Sequence, residues 1–133
     1  MSTEAELRDE LKTRLVTITG LNGYDTWPES VIAPAAIVMP AGNTKQVAGG
    51  IYQSTFEITA LVKLTRFDEA SNALDTYLQH ASGGILAALK GDTTLAGKAV
   101  GMLIPDAWQE YDPHTVKNQG YLGARLLVEV YHT

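Results

Sequence analysis

Four side chains near the C-terminus form the most chemically suggestive group in the sequence. Asp106, Glu110, Asp112 and His114 share parity, so an extended strand would project them toward one face. Carboxylates and an imidazole on one face could bind a divalent cation, provided that their ligand atoms converge. Pro113 disturbs strand pairing at this point, and acidic residues near the end of a hairpin are usually solvated. We therefore expect this stretch to lie on the surface and to bind no metal.

Nucleophilic catalysis has no local signature in the chain. The histidines at positions 80, 114 and 132 do not pair with one another at metal-ligand spacing, and no serine lies in a G-x-S-x-G elbow. The sequence contains neither a phosphate-binding loop nor a dinucleotide-binding turn, and it has no cysteine. Disulfides, thiolate metal sites and cysteine nucleophiles are thereby excluded. A triad of residues distant in sequence stays open, but we expect neither an enzyme nor a cofactor.

A glycine-rich segment offers a contact surface instead. Residues 41–50 contain Gly42, Gly49 and Gly50, and Val47 is the only large apolar residue among them. We expect this segment to be a mobile loop in an isolated subunit, because burial does not offset the roughly 1–2 kcal/mol of backbone entropy that each ordered residue costs. The residues that we expect to contact a neighbouring subunit are Asn43, Thr44, Lys45, Gln46 and Val47.

Length and composition narrow the class of protein. The chain has 133 residues, of which 45% are hydrophobic and 19% charged, and its net charge is -5. We expect one domain over residues 1–133. A negative chain without a basic cluster disfavours binding to duplex DNA. The charged fraction lies below the roughly 25% of typical soluble domains, which suits a subunit partly covered by copies of itself. The N-terminus lacks the pattern of a signal peptide, so we expect a chain without a membrane segment that stays in the cytoplasm.

Two regions show helical periodicity. Thr3 and Glu6 form a capping box, and the apolar residues that follow recur every three or four positions until Gly20. A second helical region begins after Asp68, which we expect to cap it. A glycine pair at 83–84 interrupts this second region, which is therefore either one kinked helix or two short helices.

Four segments are typical of strands: residues 35–39, 51–65, 99–111 and 121–132. The last two form a hairpin, whereas residues 21–34 carry the glycines, prolines and turn formers of an irregular connection. The long strand has one apolar face and one largely polar face, which favours an antiparallel sheet covered on one side. We therefore predict an α+β fold in which helices pack on one face of an antiparallel sheet of about four strands.

This order of elements resembles the tail terminator proteins of long-tailed bacteriophages. The resemblance is one of pattern and covers nearly the whole chain. It lies in the N-terminal helix that leads through Gly20-Leu21, the proline-flanked segment Ala35–Met39, the strand Thr55–Val62, the Leu74-Asp75-x-Tyr77-Leu78 helix and the terminal strand Leu127–Tyr131.

The resemblance implies a structural protein of the virion. Its subunits would form a hexameric ring at the head-proximal end of the tail, ending polymerisation of the tail tube and joining the tail to the head connector. The implied partners are copies of the chain itself, the tail-tube protein and a head-tail connector or stopper protein, with DNA only passing through the channel. The implied location is the tail or neck, after assembly in the host cytoplasm. Another neck or minor tail protein, and a small ligand- or metal-binding accessory domain, are the alternatives.

Overall fold

The computed structural model describes residues 3–18, 20–79, 83–105, 107–116 and 119–133, without the side chains at positions 110, 111, 114 and 116. The fold class is α+β, as the sequence predicts. In chain order, the elements are α1 (Glu4–Leu15), β1 (Asn22–Tyr24), β2 (Ala35–Pro40), β3 (Lys45–Ala48), β4 (Ile51–Lys63), α2 (Phe67–Leu78), α3 (Ile85–Lys90), β5 (Gly101–Leu103), β6 (Gln109–Val116) and β7 (Gln119–His132).

The two longest strands, β4 and β7, form the centre of the sheet. They pair antiparallel along nearly their whole length, from Tyr52 opposite His132 to Lys63 opposite Tyr121. The strands β2 and β3 follow one another along the outer side of β4, and both run antiparallel to it. On the outer side of β7, β5 and β6 are arranged in the same way. The body of the sheet therefore has four antiparallel strand positions, two of which are each occupied by two short strands.

The predicted antiparallel sheet of about four strands matches this body but not the whole sheet. The strand β1 pairs with β2 in parallel, with Asn22 opposite Ala35, so the sheet is mixed and has seven strands. The expectation that residues 21–34 are entirely irregular is therefore wrong. A strand of three residues is too short to show alternation in the sequence. Its position is set by contacts such as the bond from the Asn22 side chain to the carbonyl of Ile32 (3.0 Å).

The three helices pack on one face of the sheet, which we call the covered face. The helix α1 contacts β2 and α3, and α2 contacts β4 and β7. Leu7, Leu11 and Leu15 of α1 are fully buried and belong to one cluster with Phe56 and Leu126 of the sheet. Apolar burial of this kind is the main favourable term in folding. In the described part of the chain, no helix has the length and apolar character needed to cross a bilayer.

The helix boundaries test the capping predictions. The Thr3 hydroxyl accepts a hydrogen bond from the Glu6 N–H (3.2 Å), which confirms the predicted start of α1. The prediction that Asp68 caps α2 is wrong, because Arg66 occupies the cap position and Asp68 lies in the first turn. A carboxylate there interacts favourably with the helix dipole. The helical region is two helices, because α2 ends at Leu78 and α3 begins at Ile85. Gly84 precedes α3, and a side chain there would overlap the carbonyl oxygen of Gln79.

The opposite face of the sheet is covered at one end only. Near the start of β2, the segment that follows β1 covers a second small cluster, made of Val31, Ala35, Ile37, Leu61 and Tyr121. Thr59 and Leu61 are therefore buried, although the sequence predicts a largely polar face for this side of β4. Toward the start of β4 and the end of β7, most side chains on this side are half-buried or exposed. We call this second region the open face.

Candidate assembly interface

The segment predicted as a mobile loop, residues 41–50, is partly a strand, and this strand includes some of the predicted contact residues 43–47. Lys45–Ala48 form β3, which pairs antiparallel with the start of β4 and places Lys45 opposite Gln53. The turn between the two strands contains Gly50, whose φ of +73° lies in the region that favours glycine. The segment is therefore not a loop throughout, because Lys45–Ala48 pair with β4, although all four residues are exposed. Its mobility in an isolated subunit stays a prediction. Contact of this segment with a neighbouring subunit stays a prediction.

Thr44 anchors this segment to the body of the protein. Its Oγ1 lies 2.7 Å from Ser54 Oγ and donates to Glu4 Oε2 at 3.3 Å. Ser54 Oγ in turn lies 2.9 Å from His132 Nε2. Ser54 is 1% exposed and His132 is 4% exposed. These four residues form a polar chain that connects the start of α1 to the end of β7.

The polar chain contains a serine beside a histidine, the pairing found in activated nucleophiles. Here the serine is enclosed, and in the described part of the chain His132 Nδ1 has no hydrogen-bond partner, whereas a catalytic triad orients that nitrogen with a third group. An ionised Glu4 only accepts, so Thr44 donates to Glu4, Ser54 to Thr44, and His132 Nε2 to Ser54. We interpret the chain as a structural link. His80 lies outside the described residues.

Sequence reasoning missed this link between Ser54 and His132. A signal was nevertheless present, because both positions have the parity of the inward-facing apolar residues in their strands. Strand pairing completes the arrangement by placing Ser54 opposite Val130, two residues before His132. Polar residues at inward-facing positions of two paired strands predict a buried hydrogen bond.

Of the four residues of the acidic stretch, the structure describes the side chain of Asp112 alone. Asp112 is exposed on β6, Asp106 lies outside the described residues, and so do the side chains of Glu110 and His114. An irregular register between Gln109 and Asp112 interrupts the alternation that placed these residues on one face. Among the described residues, no three His, Asp or Glu side chains gather where they could hold a metal ion. The absence of a metal here stays a prediction.

The open face carries an apolar trough between the β3–β4 hairpin and β5. The trough has a volume of about 480 Å³. Its lining is apolar apart from one tyrosine hydroxyl and consists of Val47, Ala48, Ile51, Val100, Gly101, Met102, Leu103 and Tyr131. Val47 is 46% exposed, Val100 58% and Leu103 59%. Because exposed apolar side chains grouped in this way favour contact with another molecule, the trough is the candidate contact surface.

A second groove continues from the trough across the sheet. It has a volume of about 380 Å³ and is lined by Thr55, Leu103, Ile104, Pro105, Leu127 and Glu129. Leu103 lines both depressions, so the two form one continuous surface. Glu57, which pairs with the groove residue Leu127 across β4 and β7, forms an ion pair in which Arg125 Nη1 lies 3.0 Å from Glu57 Oε2.

Tyr131 supplies the polar group of the trough. Its hydroxyl donates to Glu129 Oε2 at 3.3 Å. Desolvation, followed by the negative charge of Glu129 and this hydrogen bond, raises the pKa of Tyr131 above its ordinary value. The hydroxyl therefore remains protonated at neutral pH and stays a donor.

The loop that precedes β5 positions one wall of the trough. Leu95, Ala96 and Gly97 have consecutive positive φ values of 49°, 57° and 84°. The Asp92 carboxylate holds this turn by accepting from the Thr94 hydroxyl (2.7 Å), the Ala96 N–H (2.8 Å) and the Thr94 N–H (3.1 Å). These hydrogen bonds lower the pKa of Asp92. Because Leu95 is fully buried, the turn ties the start of β5 to the core.

No protein-family model and no curated protein matches this chain.

Proposed function

We propose that this protein is a structural subunit that assembles with copies of itself into a ring, as the tail terminator proteins that its sequence resembles do. The observation that carries the proposal is the continuous apolar surface of the open face. Leu103 lies at its centre and is 59% exposed, and Leu127 is 39% exposed in the adjoining groove. Contact with another copy of the chain would remove these apolar side chains from water.

The energetics favour covering this surface. Apolar area removed from water contributes about 25 cal/mol per Å², and the exposed parts of Val47, Val100, Leu103 and Leu127 all lie on or beside the trough. The strands that flank the trough add a second driving force. Among the described strands, β3 pairs only with β4 and β5 pairs only with β7, so each has a backbone edge that another chain can bind.

In the proposed role, the ring stands at the head-proximal end of a phage tail. It ends polymerisation of the tail tube and joins the tail to a connector or stopper protein. Residues 43–47, which lie beside the trough, contact the adjacent subunit or the tube. DNA passes through the channel, and the net charge of -5 disfavours tight binding of the phosphate backbone. Another neck or minor tail protein would use the same surface at a different place in the virion.

A ligand-binding module is the second candidate, and one observation favours it. The trough volume of about 480 Å³ lies within the range of roughly 300–1,000 Å³ that is typical of small-molecule sites. An apolar ligand would fit this lining. The oligomeric state separates the two candidates, since a ligand-binding module need not assemble.

Sedimentation velocity combined with negative-stain imaging tests the proposal. We expect annular particles of several times 14.3 kDa, and we expect Leu103→Asp to convert them to monomers. Phe67→Asp is the matched control, because Phe67 is 58% exposed but lies at the start of α2, beyond the opposite end of β4. A wild-type chain that is monomeric at every concentration, or a ring that Leu103→Asp leaves intact, would overturn the proposal.

A further inference from the structure

A cyclic ring requires two different, complementary surfaces on each subunit. The trough supplies one of them. We propose that Ile32 supplies the other, and that the Ile32 side chain of one copy enters the trough of the next copy. This inference rests on the ring function proposed above and names the contact through which the ring is built.

Ile32 is held in an outward position. It is 66% exposed, the largest exposed fraction among the large apolar side chains that the structure describes. Its N–H donates to Tyr24 Oη (3.1 Å), and its carbonyl accepts from Asn22 Nδ2 (3.0 Å). The preceding residue, Val31, is buried, and its carbonyl accepts from Tyr121 Oη (3.2 Å). The backbone around Ile32 is therefore fixed before any partner arrives, which lowers the entropy cost of binding.

The positions of Ile32 and the trough suit a head-to-tail contact between copies. Ile32 lies just before β2, whose first residue, Ala35, pairs with Leu61 near the end of β4. The trough is built around Ile51, the first residue of β4. Ten residues of extended strand separate these two points, which corresponds to roughly 30 Å. An apolar projection at one end and an apolar depression at the other allow each subunit to bind two neighbours.

The charges at the two ends favour a second copy of this chain as the occupant of the trough. Residues 16–44, which carry Ile32, contain Asp25 and Glu29 and neither lysine nor arginine. On the side of the trough, Lys45 is exposed on β3, in the same hairpin as Val47. The carboxylate on this side, Glu129, is held by the Tyr131 hydroxyl. Opposite charges favour this orientation, whereas two copies meeting through their Ile32 ends would bring acidic segments together.

A mixing experiment tests the contact. Ile32→Asp removes the projection and Leu103→Asp alters the trough, and both side chains are exposed enough for the fold to tolerate the change. We expect each variant alone to sediment as a monomer with a wild-type circular dichroism spectrum. An equimolar mixture retains one intact trough and one intact Ile32 per pair, so we expect it to sediment as a dimer.

A second mixture serves as the control. Val47→Asp and Leu103→Asp both alter the trough, so we expect their mixture to stay monomeric. Two outcomes would disprove the contact between Ile32 and the trough and leave the ring function standing. One is a control mixture that dimerises. The other is a mixture of Ile32→Asp and Leu103→Asp that stays monomeric while the wild type forms rings. The contact would also be disproved if the Ile32→Asp variant alone formed rings as the wild-type chain does. A monomeric wild-type chain would overturn both proposals.

Discussion

The two faces of β4 and β7 share one backbone but differ in what covers them. On the covered face, Phe56 and Leu126 are fully buried beneath the helices, whereas Leu127, one residue along β7, is 39% exposed on the open face. A shift of one residue along a strand moves a side chain from one face to the other. The same alternation therefore gives the covered face its stability and, in the proposed ring, gives the open face its contacts.

Truncating a side chain on the covered face should lower the free energy of unfolding far more than truncating one on the open face. Phe56→Ala removes a fully buried ring, so we expect a loss of about 3–5 kcal/mol in the free energy of unfolding. Leu127→Ala removes a side chain that is 39% exposed, so we expect a smaller loss of about 1 kcal/mol. Urea denaturation in a Leu103→Asp background measures folding without the contribution of assembly. Similar losses for the two variants would contradict the division between the faces.

The polar chain occupies the end of the covered face, where it replaces apolar packing, and its contribution to stability can be measured. Ser54→Ala leaves Thr44 and the buried His132 nitrogen without their shared partner, so we expect a loss of about 1–3 kcal/mol. Ser30→Ala, at an exposed position, is the control and should lie within about 0.5 kcal/mol of the parent. Equal denaturation midpoints for the two variants would show that the chain adds nothing to stability.

On the open face, Val47→Ser should separate stability from assembly. Val47 is 46% exposed, so we expect the free energy of unfolding to change by less than about 0.5 kcal/mol. The same change places a hydroxyl in the trough. On dilution, rings of the variant should therefore dissociate at a several-fold higher protein concentration than wild-type rings. Dilution followed by sedimentation, together with a thermal melt, measures both quantities. A lower thermal midpoint with unchanged assembly would place Val47 in the fold alone.

The smallest expected effect is a pH dependence at the turn before β5. Folding lowers the pKa of Asp92, so the carboxylate contributes stability above its unfolded pKa and loses it as the pH falls through the folded value. The thermal midpoint of the wild-type chain should therefore exceed that of Asp92→Asn at pH 7, and the difference should shrink below about pH 4. A difference that is constant from pH 7 to pH 3 would contradict this role.

Local patterns predicted the covered face well. The Thr3 cap, the break at Gly84 and the alternation in β4 and β7 each depend on residues close together in the sequence. The short strands β1 and β3 were missed, because pairing with a neighbouring strand orders them and their own side chains are exposed or half-buried. The trough could not be predicted, since Val47 and Leu103 lie near one another only after β4 has paired with β7 and β7 with β5.

Hydrogen–deuterium exchange of the wild-type chain, compared with the Leu103→Asp monomer, shows whether subunits meet at the trough. Amides of β4 and β7 pair within the subunit and should exchange slowly in both samples. We predict that assembly adds protection at Lys45–Ala48 and Gly101–Leu103, the strands that flank the trough. Added protection confined to α1 and α2, or no difference between the two samples, would show that subunits do not meet at the trough.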